Sequence, residues 1–151
     1  MSARRGASEA GSASIELVIL GPAFGLVVAL LVMAGRLAIA QQTMEQVAFE
    51  TARTASLART AAEASSIGTR TARLEVGRQN LRCSSEPEVK MNDLEAFSAP
   101  PGTPSDVEVT VRCRVDMADL AIPGTPGSVQ VESTQSSPID TYRGRGIGGR
   151  P

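Results

Sequence analysis

Residues 17–35 read LVILGPAFGLVVALLVMAG, a stretch without a single charged side chain. At 1.5 Å per residue such a helix is about 28 Å long, close to the roughly 30 Å hydrocarbon thickness of a bilayer. The rest of the chain cannot wrap every face of it, because 151 residues contain one Tyr, three Phe and no Trp. The segment is therefore expected to span a membrane instead of filling a core. Gly21, Pro22 and Gly25 predict a kink inside it, since Pro removes a backbone donor and Gly weakens a helix. In lipid, neighbouring helices or local backbone adjustments can satisfy the freed carbonyl.

The flanks orient this span. Arg4 and Arg5 precede it and Arg36 follows, a modest bias that places the N-terminus on the cytoplasmic side. Cys83 and Cys113, alone in the sequence, suit one disulfide in an oxidising compartment, so the C-terminal part is expected outside the cytoplasm. The small residues Gly11, Ser12, Ala13 and Ser14 lie before the apolar run, where ordinary signal peptidase does not cut. That order points to another processing system. Glu16, adjoining Leu17, would be costly to draw unpaired into hydrocarbon.

Composition narrows the classes of function. Fifteen basic and sixteen acidic residues leave a formal charge of −1, with no net field and no aromatic platform for nucleic acid, which is not expected as a partner. The sequence has no His, the commonest general base and metal ligand, and no other catalytic arrangement stands out. No enzymatic activity, cofactor or metal site is expected.

Past Arg36, Leu37, Ala40, Met44, Val47, Ala48, Ala55, Ala58 and Ala62 recur near i, i+3, i+4 spacing, and no Pro occurs between Pro22 and Pro87. The span is expected to continue into an amphipathic Ala-rich helix over residues 37–82. Its small-residue stripe suits either another helix or the chain's own sheet. Arg53, Arg59, Arg70, Arg73, Arg78 and Arg82 read as a solvated face. Eight of the nine prolines lie from Pro87 onward, which marks a change of architecture. Val107, Val109, Val111, Cys113 and Val115 alternate with polar residues, the period of a half-buried strand with Cys113 inward. Val129 and Val131 suggest a second strand after an IPGTPG turn. A Cys83–Cys113 bond would fasten helix to sheet. The fold class is thus α+β, a long N-terminal helix packed on a small antiparallel β-sheet.

Counting from the Gly11–Ser12 bond, Glu16 is the fifth residue, a spacing that resembles prepilins. The resemblance implies cleavage after Gly11 by a prepilin peptidase, with Glu16 pairing with the new N-terminal amine of a neighbouring subunit. Two opposite charges in apolar surroundings are tolerable as a pair, which can set register between subunits. Ala13-Ser14-Ile15-Glu16-Leu17 with Gly21-Pro22 then resembles the A-x-V-E-F…L-P opening of TadE-like proteins. Ile15, Leu17 and Gly21 are substitutions on it. Gly35-Arg36-Leu37 and Gln41-Gln42 look like that family's G-R-x…Q-Q run, and Ala48, Glu50, Ala52 and Arg53 match its A-A-R-E-G-A-R stretch, from which Phe49 and Thr51 depart.

This resemblance implies a non-enzymatic, membrane-anchored pseudopilin, a minor component in assembly of a tight-adherence pilus or related secretion apparatus. Its partners would be prepilin peptidase, other pilin-like subunits and pilus assembly proteins, and the membrane. The expected organisation is a cytoplasmic leader (1–11), a transmembrane helix (12–36), the amphipathic helix (37–82), a small extracytoplasmic β-rich domain (83–142) and a disordered tail (143–151). The alternative is a signal-anchored binding module, in which residues from about Cys83 onward recognise a partner and the N-terminus only anchors them.

Overall fold

The computed structural model describes residues 9–100, 102–120 and 126–140, with side chains from Glu16 onward and without that of Leu120. The first eight residues of the expected leader, most of the IPGTPG connection and the tail expected over 143–151 lie outside the described residues. Helix α1 runs Glu9–Ser56 and α2 Ala61–Arg78, followed by strands β1 (Glu88–Asn92), β2 (Asp106–Asp116) and β3 (Ser128–Pro138). A short 3-10 helix, Leu94–Ser98, links β1 to β2. The strands form an antiparallel sheet in the order β1-β2-β3. This is the expected α+β arrangement of a long N-terminal helix on a small antiparallel sheet.

The span does run straight into the helix that follows it, and Pro22 lies inside α1 without ending it. The single helix expected over residues 37–82 is instead two helices, because α1 stops at Ser56 and the chain turns back. Hydroxyl side chains mark the stop. Thr51, Thr54 and Ser56 each donate to a carbonyl three or four residues earlier, and the Leu57 and Ala58 amides tighten into i→i−3 bonds. Helix α2 then restarts on Thr60, whose Oγ1 accepts the Glu63 amide at 3.2 Å while the Glu63 carboxylate accepts the Arg59 amide at 3.0 Å. Thr-x-x-Glu is a capping-box spacing, so this start was written in the sequence and overlooked there. Restarting the helix resets its phase, which leaves Ala62 exposed although the unbroken pattern had placed it on the apolar stripe.

Asn80, at φ 52°, ends α2. Its amide bonds the Gly77 carbonyl and the Leu81 amide bonds the Val76 carbonyl, the paired closure of a left-handed C-terminal cap. The two helices form one layer over one face of the sheet. Ala40, Met44, Val47, Ala48, Ala52 and Ala55 of α1 are buried against Val107, Val109, Val111 and Cys113 of β2 and Val131 of β3. The small-residue stripe is therefore consumed within the chain. Ala64, Gly68, Ala72 and Val76 supply the buried side of α2. A Cβ at Gly68 would fall on the Met91 Cε of β1 and lie 3.4 Å from Thr51 Cγ2, so this glycine lets α2 settle between α1 and the sheet edge.

β2 behaves as its alternation predicts, with Val107, Val109, Val111, Cys113 and Val115 buried. β1 was not foreseen. It is five residues long and mostly exposed or half-buried, too short for a periodic signal, and owes its place to pairing with β2 from Glu88–Arg112 to Asn92–Glu108. The outer sheet face is polar and internally paired. Arg112 bonds Glu132 at 2.7 Å, Asn92 bonds Glu108 at 2.7 Å, and the Thr110 and Thr134 hydroxyls meet at 2.8 Å.

Met44 is fully buried where α1 meets the sheet. Replacing it with Ala is expected to cost about 2–5 kcal/mol, whereas Gln46→Ala on the exposed side should change stability by less than about 0.5 kcal/mol. Denaturant unfolding of the detergent-solubilised chain, followed by circular dichroism, measures both.

Candidate functional site

The apolar segment stands clear of the folded part. Leu17 is 74% exposed and Phe24 72%, and no residue of the span is buried by the chain itself. α1 is thus long and apolar enough to cross a membrane, and nothing in the chain covers that part of it. Gly11 and Ser12 lie in the opening turn of α1, and Glu16 sits exposed about 7.5 Å further along the axis. Among the described residues Glu16 makes no ion pair. Any partner for that carboxylate comes from outside the described part of the chain.

At the other end of the span, Arg36 Nη1 donates to Asp119 Oδ2 at 2.7 Å, across 83 residues of sequence. Asp119 stands in a one-turn 3-10 helix, Ala118–Leu120, just after β2. That turn is held by the Asp116 carboxylate accepting the Ala118 amide at 2.9 Å and by the Met117 amide donating to the Gly127 carbonyl at 2.9 Å. The hydrogen bond from Arg36 holds the Asp119 carboxyl below the usual carboxylate range. Partial burial opposes this, and the charges of Arg36 and Arg82 reinforce it. Sequence reasoning missed this bridge. Arg36 was legible only as the first charge after the span, and nothing in the spacing pointed to Asp119.

Cys83 and Cys113 form a disulfide with their Cα atoms 5.7 Å apart. Cys83 lies beyond α2 and forms a lone antiparallel bridge with Val115, flanked by the Asp116 amide to the Arg82 carbonyl at 3.0 Å and the Ser84 amide to the Arg114 carbonyl at 2.8 Å. The bond therefore pins the segment between α2 and β1 onto the buried face of β2, at the end nearer Arg36. Arg53, Arg59, Arg70, Arg73, Arg78 and Arg82 are all exposed, as a solvated face requires, with Arg73 on Glu86 at 2.8 Å and Arg78 on Glu75 at 2.9 Å. Among the described residues no group of three or more Cys, Asp or Glu side chains is placed to hold a metal ion.

The class of protein the fold defines is one with an uncovered apolar helix, long enough to serve as a membrane anchor, running into a small disulfide-bonded helix-and-sheet layer. The particular likeness is to TadE-like protein, whose family model matches residues 11–53, from Gly11 through the apolar segment to Arg53 in the buried part of α1. The match covers the Gly11–Glu16 spacing, the apolar segment and the Ala48–Arg53 stretch. No curated protein and no solved structure matches the chain.

Two consequences of this geometry are measurable. The disulfide closes a loop of 30 residues, for which the chain-entropy relation gives about 3.5 kcal/mol. The Cys83→Ser, Cys113→Ser double variant is expected to lose stability of that order in denaturant titration. The sign for Asp119 follows from its depressed pKa: the bridge contributes above the unfolded carboxylate value, near pH 4, and the contribution disappears as pH falls through the lower folded value. Acid unfolding of Asp119→Asn compared with the parent chain should show the two curves converging as pH falls below the usual carboxylate range.

Proposed function

We propose that the chain is a non-enzymatic pseudopilin of the TadE-like kind, a minor component in assembly of a tight-adherence pilus or a related secretion apparatus. The observation that carries this reading is the coincidence of the family match, residues 11–53, with an apolar helix that the chain leaves uncovered. Such a helix needs lipid or other helices around it, and in a pilus system both are supplied in turn.

In this reading a prepilin peptidase cuts between Gly11 and Ser12, and the amine of Ser12 pairs with Glu16 of a neighbouring subunit. The chain crosses the membrane once with its N-terminus in the cytoplasm. The layer of α1, α2 and sheet stands on the outer side, where the Cys83–Cys113 bond is stable. The exposed apolar face beside Glu16 supports this, because a carboxylate there is tolerable next to a partner cation and costly without one.

The rival reading, a binding module from Cys83 onward on a passive anchor, meets a packing difficulty. Val107, Val109 and Val111 are buried on the face of β2 that packs against α1. The strands alone would expose that apolar face to water, so the sheet does not stand as a module without α1.

N-terminal sequencing and intact mass of protein from membranes with and without an active prepilin peptidase test the reading. A peptidase-dependent start at Ser12 is expected, and a full-length N-terminus in both preparations would falsify the processing step. Glu16→Leu should leave membrane insertion intact and abolish incorporation into the assembled structure, read by cross-linking to neighbouring subunits.

A further inference from the structure

The Arg36–Asp119 bridge determines which end of the folded layer faces the bilayer. Arg36 is the first charged side chain after residues 17–35, and a guanidinium there settles among headgroups because the hydrocarbon will not hold it. Asp119, 2.7 Å away, lies at the same level. From this level β3 rises along α1. Its far end is marked by the Ser137 hydroxyl donating to the Ser56 hydroxyl at 3.0 Å, twenty residues and about 30 Å of helix above Arg36. The disulfide end of the layer is thus proximal to the bilayer, and the end carrying the Leu94–Ser98 helix and Ile139 is distal.

Two further features gather at the proximal end. Arg82 is exposed and close enough to Asp119 to act on its ionisation, while its own carbonyl is held by the Asp116 amide at 3.0 Å. Ile39 is 64% exposed, about 4.5 Å along the helix from Arg36, beside the polar Gln41, Gln42, Glu45 and Gln46. An apolar side chain left uncovered at that height fits the interfacial layer, where apolar and charged groups both find partners. Arg36 keeps most of its five donors after bonding Asp119, and Arg82 forms no ion pair among the described residues.

We propose that this end of the folded layer is a seating surface for phospholipid headgroups: Arg36 and Arg82 take lipid phosphates, Ile39 enters the interface, and the Arg36–Asp119 bridge holds the layer upright over its own span. The proposal rests on the reading of α1 as a membrane anchor. It makes the proximal surface occupied by lipid and leaves the distal end as the part presented to other proteins.

The test uses the full chain reconstituted in phosphatidylcholine–phosphatidylglycerol vesicles, with a fluorescent amino acid at Ala118 or, separately, at Glu95, and a headgroup spin-labelled lipid as quencher. Strong quenching at 118 and little at 95 is expected. Asp119→Ala combined with Arg82→Glu should lower the ratio of seated to lifted layer by about fivefold, the effect of removing one cation from an anionic surface. Equal quenching at the two positions, or quenching at 118 unmoved by the double variant, overturns the proposal. Vesicle flotation separates the two ideas. Protein that floats but is unquenched at 118 defeats the seating alone, whereas protein that fails to float defeats the membrane anchor and the seating with it.

Discussion

Helix α1 presents two different surfaces along one axis. Over residues 17–35 it is apolar on every side and no residue is buried by the chain; past Arg36 it keeps a buried stripe from Ala40 to Ala55, with mostly polar residues on its other side. The change comes at Arg36 with no linker between the two halves, so the folded layer begins where the uncharged segment ends. The strands then align along a helix that already points out of the apolar zone, and β2 and β3 take their direction from it. A flexible joint here would have separated anchor and layer. The continuous helix leaves no such joint at Arg36.

The layer built on that rod has a core of small side chains. Ala dominates the buried side of α1, Val that of β2, and Gly68 opens the way for α2. Small residues let backbones approach closely but bury little area each. The disulfide compensates at the end of the layer nearer Arg36, where two backbone hydrogen bonds, Asp116 to Arg82 and Ser84 to Arg114, tie the segment after α2 to the end of β2. The polar outer sheet face carries paired side chains, Arg112 on Glu132 and Asn92 on Glu108.

Much of this was legible from residues alone because the signals are local. An uncharged run long enough for a bilayer, a strict alternation from Val107 to Val115, a stripe from Leu37 to Ala58 and a lone pair of cysteines each carry their meaning within a short window. The prepilin-like spacing from Gly11 to Glu16 is local too, and the family match over residues 11–53 falls on it. One local signal was passed over: Thr60-Ala61-Ala62-Glu63 announces a helix start, but the Ala-rich pattern on both sides suggested continuity.

What the sequence determined by itself was therefore the long apolar helix, the existence of a helix and strands after it, and which faces are apolar, since periodicity and length fix those without reference to distant residues. Tertiary structure decided the rest. The reversal at Ser56 depends on α2 finding room beside α1 and Met91, the short strand β1 exists only because β2 offers it a partner, and Arg36 meets Asp119 only after 83 intervening residues have folded. Contacts of that kind form between groups whose separation along the chain carries no information about their separation in space, and so they appear only once the helices and the sheet have closed on each other.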